Sequence, residues 1–149
     1  LPLAAEGEEI VGDYAALSLT LRRHPLALLR PRLARRHLLS ARQLSELPHG
    51  TLVCACGIVT VRQRPQTARG TIFVTLEDET GPVNVIVWNH VVEAWREPLL
   101  KSQLLAVRGI WQRDEDSGGK VQHLVAEAFR DFTPWLGRLA QGQRSRDFH

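Results

Sequence analysis

One stretch of this chain, Thr71 to Trp88 (TIFVTLEDETGPVNVIVW), does most to limit what it can fold into. Ile72, Val74 and Leu76 alternate with Phe73, Thr75 and Glu77; beyond the turn Asp78-Glu79-Thr80-Gly81, Val83, Val85 and Val87 alternate with Asn84, Ile86 and Trp88. Successive side chains of a strand point to opposite faces, so this alternation predicts two half-buried strands joined by a tight turn. The purely aliphatic set is expected inside. The other set then puts Phe73, Thr75, Asn84, Ile86 and Trp88 on an outer face. That face holds two rings, short polar groups and no catalytic constellation, which suits gripping something flat.

The flanking segments extend the pattern. Thr51 to Arg62 (TLVCACGIVTVR) is long for one strand, and Gly57 in its middle predicts a bend or bulge, as where one strand serves two sides of a small barrel. Leu104–Arg113 and Val121–Asp131 read as a fourth and a fifth strand. Before the fourth, Asn89 is expected to cap a helix with Val91, Trp95 and Leu99 on one face, its last turn interrupted by Pro98. The order strand, strand, strand, helix, strand, strand is the layout of an OB-fold barrel. The expected fold is mainly β with flanking helices: a basic helical lead-in over 1–50, a five-stranded OB-fold barrel over 51–132, and a short helix and tail over 133–149. In such a barrel strands two and three floor a groove, walled here by the loops Arg62–Gly70 and Arg113–Lys120.

In the lead-in, Ile10, Tyr14, Leu17 and Leu21 fall on one side of a helix that Pro25 closes. Pro25 opens a second helix that Pro31 stops, and Ser40 caps a third through Leu47. Thr133-Pro134-Trp135 reads as a cap, a first-turn proline and an apolar anchor for a last helix to about Ala140. Gln43 to Leu47 (QLSEL) faintly resembles the short peptides by which polymerases grip sliding clamps, but helix is the favoured reading there.

The net charge is +3, and only Lys101 and Lys120 among the 19 Lys and Arg residues are lysines. Arginine forks suit phosphates, carboxylates and ring faces; a GC-rich coding sequence explains the bias equally well. Arg22, Arg23, Arg30, Arg32, Arg35, Arg36 and Arg42 crowd one segment, either as a solvated helical face or as a strip neutralising phosphates. The absence of methionine marks the sequence as a piece of a longer reading frame. No apolar run reaches the roughly 18 residues of a membrane span. Cys54 and Cys56 are read as reduced packing residues of a cytosolic protein. The scattered histidines make no metal-ligand spacing, and no nucleophile–base set is evident, so neither a metal nor a catalytic residue is assigned.

The candidate site is therefore a binding surface. Phe73 and Trp88 offer stacking faces, or are covered by the flanking helices or tail; Thr75 and Asn84 offer hydrogen bonds, and Ile86 lies between. Arg62, Arg64 and Arg69 form a phosphate track along one loop. On the other loop Arg113 and Lys120 only partly offset Asp114, Glu115 and Asp116. The tail, with Arg144, Arg146, Asp147, Phe148 and His149, is a candidate docking segment anchored by Phe148.

Three stretches carry a resemblance to a known family. SLTLRRHPLALLR resembles the helical segment leading into the OB domain of bacterial DNA polymerase III alpha subunits, GIVTVRQRPQTARGTIFVTLEDETGPVNVIVW resembles its first three strands, and SRDFH resembles the terminus of the error-prone, mutasome branch. The resemblance covers about Glu8 to His149. It implies a non-catalytic C-terminal module of a translesion polymerase acting in SOS mutagenesis, in the bacterial cytoplasm at the nucleoid. The parent's catalytic aspartates and magnesium would belong to a palm domain outside this sequence. The implied partners are single-stranded or primer–template DNA and the mutasome accessory proteins. These are an inactive Y-family-like polymerase homologue, which brings the sliding clamp, and a RecA-like protein. A docking module without DNA binding is the alternative. The loop RDEDSGGK is longer and more acidic than that family's usual counterpart.

Overall fold

The computed structural model describes residues 24–65, 69–114, 116, 121–137 and 139. Its centre is the hairpin of β3 (Ile72–Asp78) and β4 (Gly81–Val87), paired antiparallel from Ile72↔Val87 to Asp78↔Gly81. Ile72, Val74, Leu76, Val83, Val85 and Val87 are all buried, as the alternation requires. Each contributes roughly 1.5–3 kcal/mol on leaving water. Asp78 builds the turn. One carboxylate oxygen accepts from Thr80 N and Thr80 Oγ1, both at 2.7 Å, and from Gly81 N at 3.2 Å. The other accepts from Ala41 N at 2.7 Å, so this buried acid is an interior post as well as the former of its turn.

β2 (Thr51–Gln63) serves two sides of a barrel. Residues 51–58 pair with β5 (Leu104–Arg113) and residues 58–63 with β3. Gly57 sits where the partners change, as its glycine signal predicts: a Cβ there would lie 2.9 Å from Leu76 Cβ and 3.1 Å from the backbone of Glu77. A bulge between Val59 and Val61 shifts the register just beyond it. β6 (Gln122–Asp131) runs antiparallel to β5 and parallel to β4 at Leu124 and Val125, which closes the barrel. This connectivity, β2-β3-β4-β6-β5 and back to β2, is that of an OB-fold. A short β1 (Leu38–Leu39) adds parallel to β2 at Cys54 and Ala55, covering the edge that β3 leaves.

The barrel interior packs the hairpin aliphatics with Val53, Leu105, Val107, Trp111, Leu124 and Phe129. A second core lies outside it. The helix α1 (Pro25–Arg35) sets Leu26, Leu29 and Leu33 against Cys56, Ile58, Leu104 and Ala106, together with Trp135 and Leu136 from the helical residues 133–137. This packing explains two departures. α1 runs through Pro31 instead of stopping there, because three fully buried leucines offset the roughly 3 kcal/mol of an interior proline. Arg30, Arg32 and Arg36 face protein: Arg30 grips Glu79, and the guanidinium of Arg32 lies 4.0 Å from the centre of the Trp135 ring. Trp135 in turn stacks on Phe132, with centroids 4.4 Å apart. Arg22, Arg23 and the first expected helix lie outside the described residues.

Elsewhere the ends move. Ser40 caps α2 (Ala41–Ser45) through a reciprocal box with Gln43, and the helix ends two residues before Leu47. The segment after β4 is two helices, α3 (Asn89–Ala94) and α4 (Arg96–Lys101), broken at Trp95. Pro98 has no N–H for the carbonyl of Ala94, so the break falls a turn earlier than expected. Asn89 is the first helical residue rather than the cap, which is Trp88. Thr133 does not cap its own helix; its hydroxyl accepts from Gln103 N at 2.8 Å and Leu104 N at 3.2 Å, tying the final turn to the start of β5.

Candidate nucleic-acid interface

Because the aliphatic row of the hairpin faces inward, its partners line one outer face. The strand register places Phe73 opposite Ile86 and Thr75 opposite Asn84. Directly opposed side chains lie within contact range across a ladder, so the face carries an apolar pair beside a polar pair. Phe73 is 37% exposed and Trp88, at the end of β4, 48% exposed. Asn84 is exposed, and Thr75 and Ile86 are half-buried. A strip of this kind offers ring faces for bases and amide or hydroxyl groups for their edges.

The strip is wider than the hairpin. β2 adds Gln63 opposite Phe73 and Val61 opposite Thr75, both exposed, and β6 adds Val125 opposite Ile86. Counting by twos from Cys54 fails to place Val61 and Gln63, because the bulge after Val59 shifts the phase. Their spacing relative to Phe73 becomes readable only once that bulge is known.

The arginines divide. The Nε of Arg62 donates to Leu99 O at 2.9 Å and its Nη2 donates to Ser102 O, so this side chain pins α4 to β2. Arg113 donates from Nη1 to Leu47 O at 3.1 Å, and its backbone N–H donates to His49 Nδ1 at 3.0 Å, tying the end of β5 to the loop before β2. Arg64 and Arg69 are exposed on the β2–β3 loop. Arg69 has φ +50° and precedes Gly70 at φ +86°; Gly70 packs so tightly on Asn89 that a Cβ would lie 2.6 Å from Asn89 Oδ1. That left-handed pair turns the loop back into β3. Asp114 and Asp116 are exposed on the facing loop. Lys120 and the tail residues Arg144, Arg146, Asp147, Phe148 and His149 lie outside the described residues.

Among the described residues no three His, Cys, Asp or Glu side chains come together to hold a metal ion. Burial pushes the Cys56 thiol well above its ordinary value, leaving it a packing group. Among the described residues no helix is long and apolar enough to cross a membrane.

Comparison with known proteins agrees with the topology. A family model described as OB-fold nucleic acid binding domain matches residues 53–131. A protein named error-prone DNA polymerase from Ralstonia nicotianae is 52% identical over 149 residues, covering 100% of this chain and 13% of that one. Its namesake from Alkalilimnicola ehrlichii is 53% identical over 149 residues, covering 100% of this chain and 14% of its own. The chain thus spans about one-seventh of the relatives it matches. Among solved structures, asparaginyl-tRNA synthetase from Pyrococcus horikoshii superposes with a TM-score of 0.52 at 23% identity, over 64% of this chain and 23% of that one. The p204 HINb domain does so with a TM-score of 0.51 at 15% identity, over 66% of this chain and 49% of its own. Both likenesses are of fold. By its closed barrel and the family model spanning it, the chain belongs to the OB-fold nucleic acid binding domain family, in the form found within error-prone DNA polymerases.

Proposed function

We propose that this chain is a non-catalytic module of an error-prone DNA polymerase that holds single-stranded template DNA across the outer face of β3 and β4. The observation that carries this reading is the pairing, on the outer face, of Phe73 with Ile86 beside Thr75 with Asn84, flanked by Trp88 and by the open arginines Arg64 and Arg69. A base stacks on Phe73, Asn84 and Thr75 meet base edges, and Arg64 and Arg69 neutralise phosphates. The parent's part in copying damaged template, with its accessory proteins, belongs to the same proposal and rests on the similarity to the polymerases named above.

Titration of a fluorescent oligo-dT at two salt concentrations tests it. The expected result is micromolar or weaker binding that falls steeply with salt. Phe73→Ala should lose roughly 1–3 kcal/mol. Binding unchanged in Phe73→Ala and in the Arg64→Glu/Arg69→Glu pair would exclude this surface.

A further inference from the structure

A groove of about 650 Å³ crosses the outer face of β5 and β6, and none of its lining residues belongs to β3 or β4. Its position follows from the ladder. Cys54, Arg108 and Ala128 lie in one row across β2, β5 and β6, and Ala106 and Arg130 lie opposite one another in the next row. α1 and the helical residues 133–137 cover the part of this face around Cys56, Ile58, Leu104 and Ala106 and leave Ala128 and Arg108 beyond it. The uncovered part has a floor of small side chains, Cys54 and Ala128, with the buried Ala106 at its edge, and a rim of Arg36, Arg108 and Arg130. The volume falls within the range of ligand clefts, roughly 300–1,000 Å³.

The charge on this rim is one-sided. Three guanidinium groups meet one carboxylate, Glu127, whose oxygen lies 4.0 Å from Arg108. Glu127 is the extra residue where the register shifts between Arg108 and Gly109, so it is presented outward by the bulge. Arg36 is held in place by rings, its guanidinium 5.7 Å from the centre of Phe132 and 5.3 Å from that of Trp135. Arg108 and Arg130 are exposed, and among the described residues Arg130 has no carboxylate partner.

We propose that this groove docks an acidic peptide segment of a partner protein, its carboxylates on Arg108 and Arg130 and a small aliphatic side chain on Cys54 and Ala128. Arginine forks bind carboxylates with two parallel hydrogen bonds, which fixes the peptide's direction as well as its charge. A nucleic-acid strand fits less well. Single strands gain their affinity beyond charge from open ring faces; Phe132 is buried between Trp135 and Arg36, and Trp95 is the one accessible ring along the groove among the described residues. The proposal is independent of DNA binding on β3 and β4.

The test uses the full chain, ¹⁵N-labelled, and three probes. These are a fluorescein-labelled peptide alternating glutamate with leucine, the same peptide with glutamine for glutamate, and oligo-dT. The acidic peptide is expected to shift the amides of Cys54, Arg108, Ala128 and Arg130. Arg108→Glu with Arg130→Glu should weaken it roughly tenfold or more, with oligo-dT binding little changed. Ala128→Phe, which fills the floor and leaves the charges, should weaken it too and guards against misfolding of the charge variant. Three results would overturn the proposal: no measurable binding of the acidic peptide, equal binding of the glutamine peptide, or these variants weakening oligo-dT while sparing the peptide.

Discussion

Arg30 and Glu79 meet as a two-pronged ion pair, Nε to Oε2 and Nη2 to Oε1, each at 2.7 Å, though 49 residues apart in sequence. A third prong of the same guanidinium donates to Leu38 O at 3.1 Å. One side chain thus ties α1, β1 and the β3–β4 turn together, and the hairpin that carries the candidate site is braced by the lead-in. Hydrogen bonds to charged groups contribute roughly 1.5–3 kcal/mol each way. Glu79→Gln should therefore lower unfolding stability by about 1–2 kcal/mol, read as a reduced urea midpoint at unchanged slope.

The same pair sets an acid limit. Burial raises the Glu79 carboxyl, but the hydrogen bonds from Arg30 and its charge outweigh that and hold it below its ordinary value. A carboxylate depressed on folding binds fewer protons when native, so its contribution is present above the ordinary glutamate range and is lost as pH falls through the native value. Urea midpoints followed from neutral pH down through that range should fall less in Glu79→Gln than in the unaltered chain.

A second pH dependence lies nearer neutrality. His24 Nδ1 accepts from Leu26 N at 3.1 Å and caps α1. Burial lowers its pKa below 6.5, outweighing the pull of Glu77, Glu79 and Asp78. The native state therefore favours the neutral ring; stability is full above about pH 6.5 and declines as pH falls through the lowered value. Protonation also removes the accepting lone pair. His24→Asn keeps a capping oxygen and no titration, so its melting temperature should decline less across that window than the parent's.

Gly109 should tolerate substitution least. A Cβ there would lie 2.0 Å from Val125 O and 3.0 Å from Ala126 Cα, backbone atoms that cannot turn aside. At Gly57 the nearest atom is Leu76 Cβ at 2.9 Å. Overpacking costs typically about 1–3 kcal/mol, and more where backbone must part. Gly109→Ala is expected to destabilise more than Gly57→Ala, measured by thermal melts of the two variants side by side.

Arg62 separates structure from binding. Its guanidinium is spent on Leu99 O and Ser102 O. Arg62→Ala should cost about 1–3 kcal/mol of stability, because two buried-side carbonyls lose their donor, yet leave the salt slope of oligo-dT binding as it was. The Arg64→Glu/Arg69→Glu pair should do the reverse. Oligonucleotide titrations over salt, run with urea melts of each variant, check both halves.

What could be read in the sequence was what depends on local period and punctuation. The β3–β4 alternation and the bend at Gly57 are of that kind, and so is β5, bounded by Leu104 and Arg113 as expected. Pairs of residues distant in sequence were not legible. Pro31 reads as a stop until Leu26, Leu29 and Leu33 are seen buried on the barrel. Arg62 reads as a phosphate ligand until α4 presents its last carbonyls. Arg32 and Arg36 read as solvated charge or a phosphate strip until Trp135 arrives from the far end of the chain. Each outcome was decided by a partner with no signature near the residue itself.

The claim that the β3–β4 face is the DNA site is tested most directly by amide shift mapping of the ¹⁵N-labelled chain during oligo-dT titration. The largest shifts are expected at Phe73, Thr75, Asn84 and Ile86, with Arg64 and Arg69 following. Shifts centred on Arg108, Ala128 and Arg130 with the hairpin unmoved would contradict it.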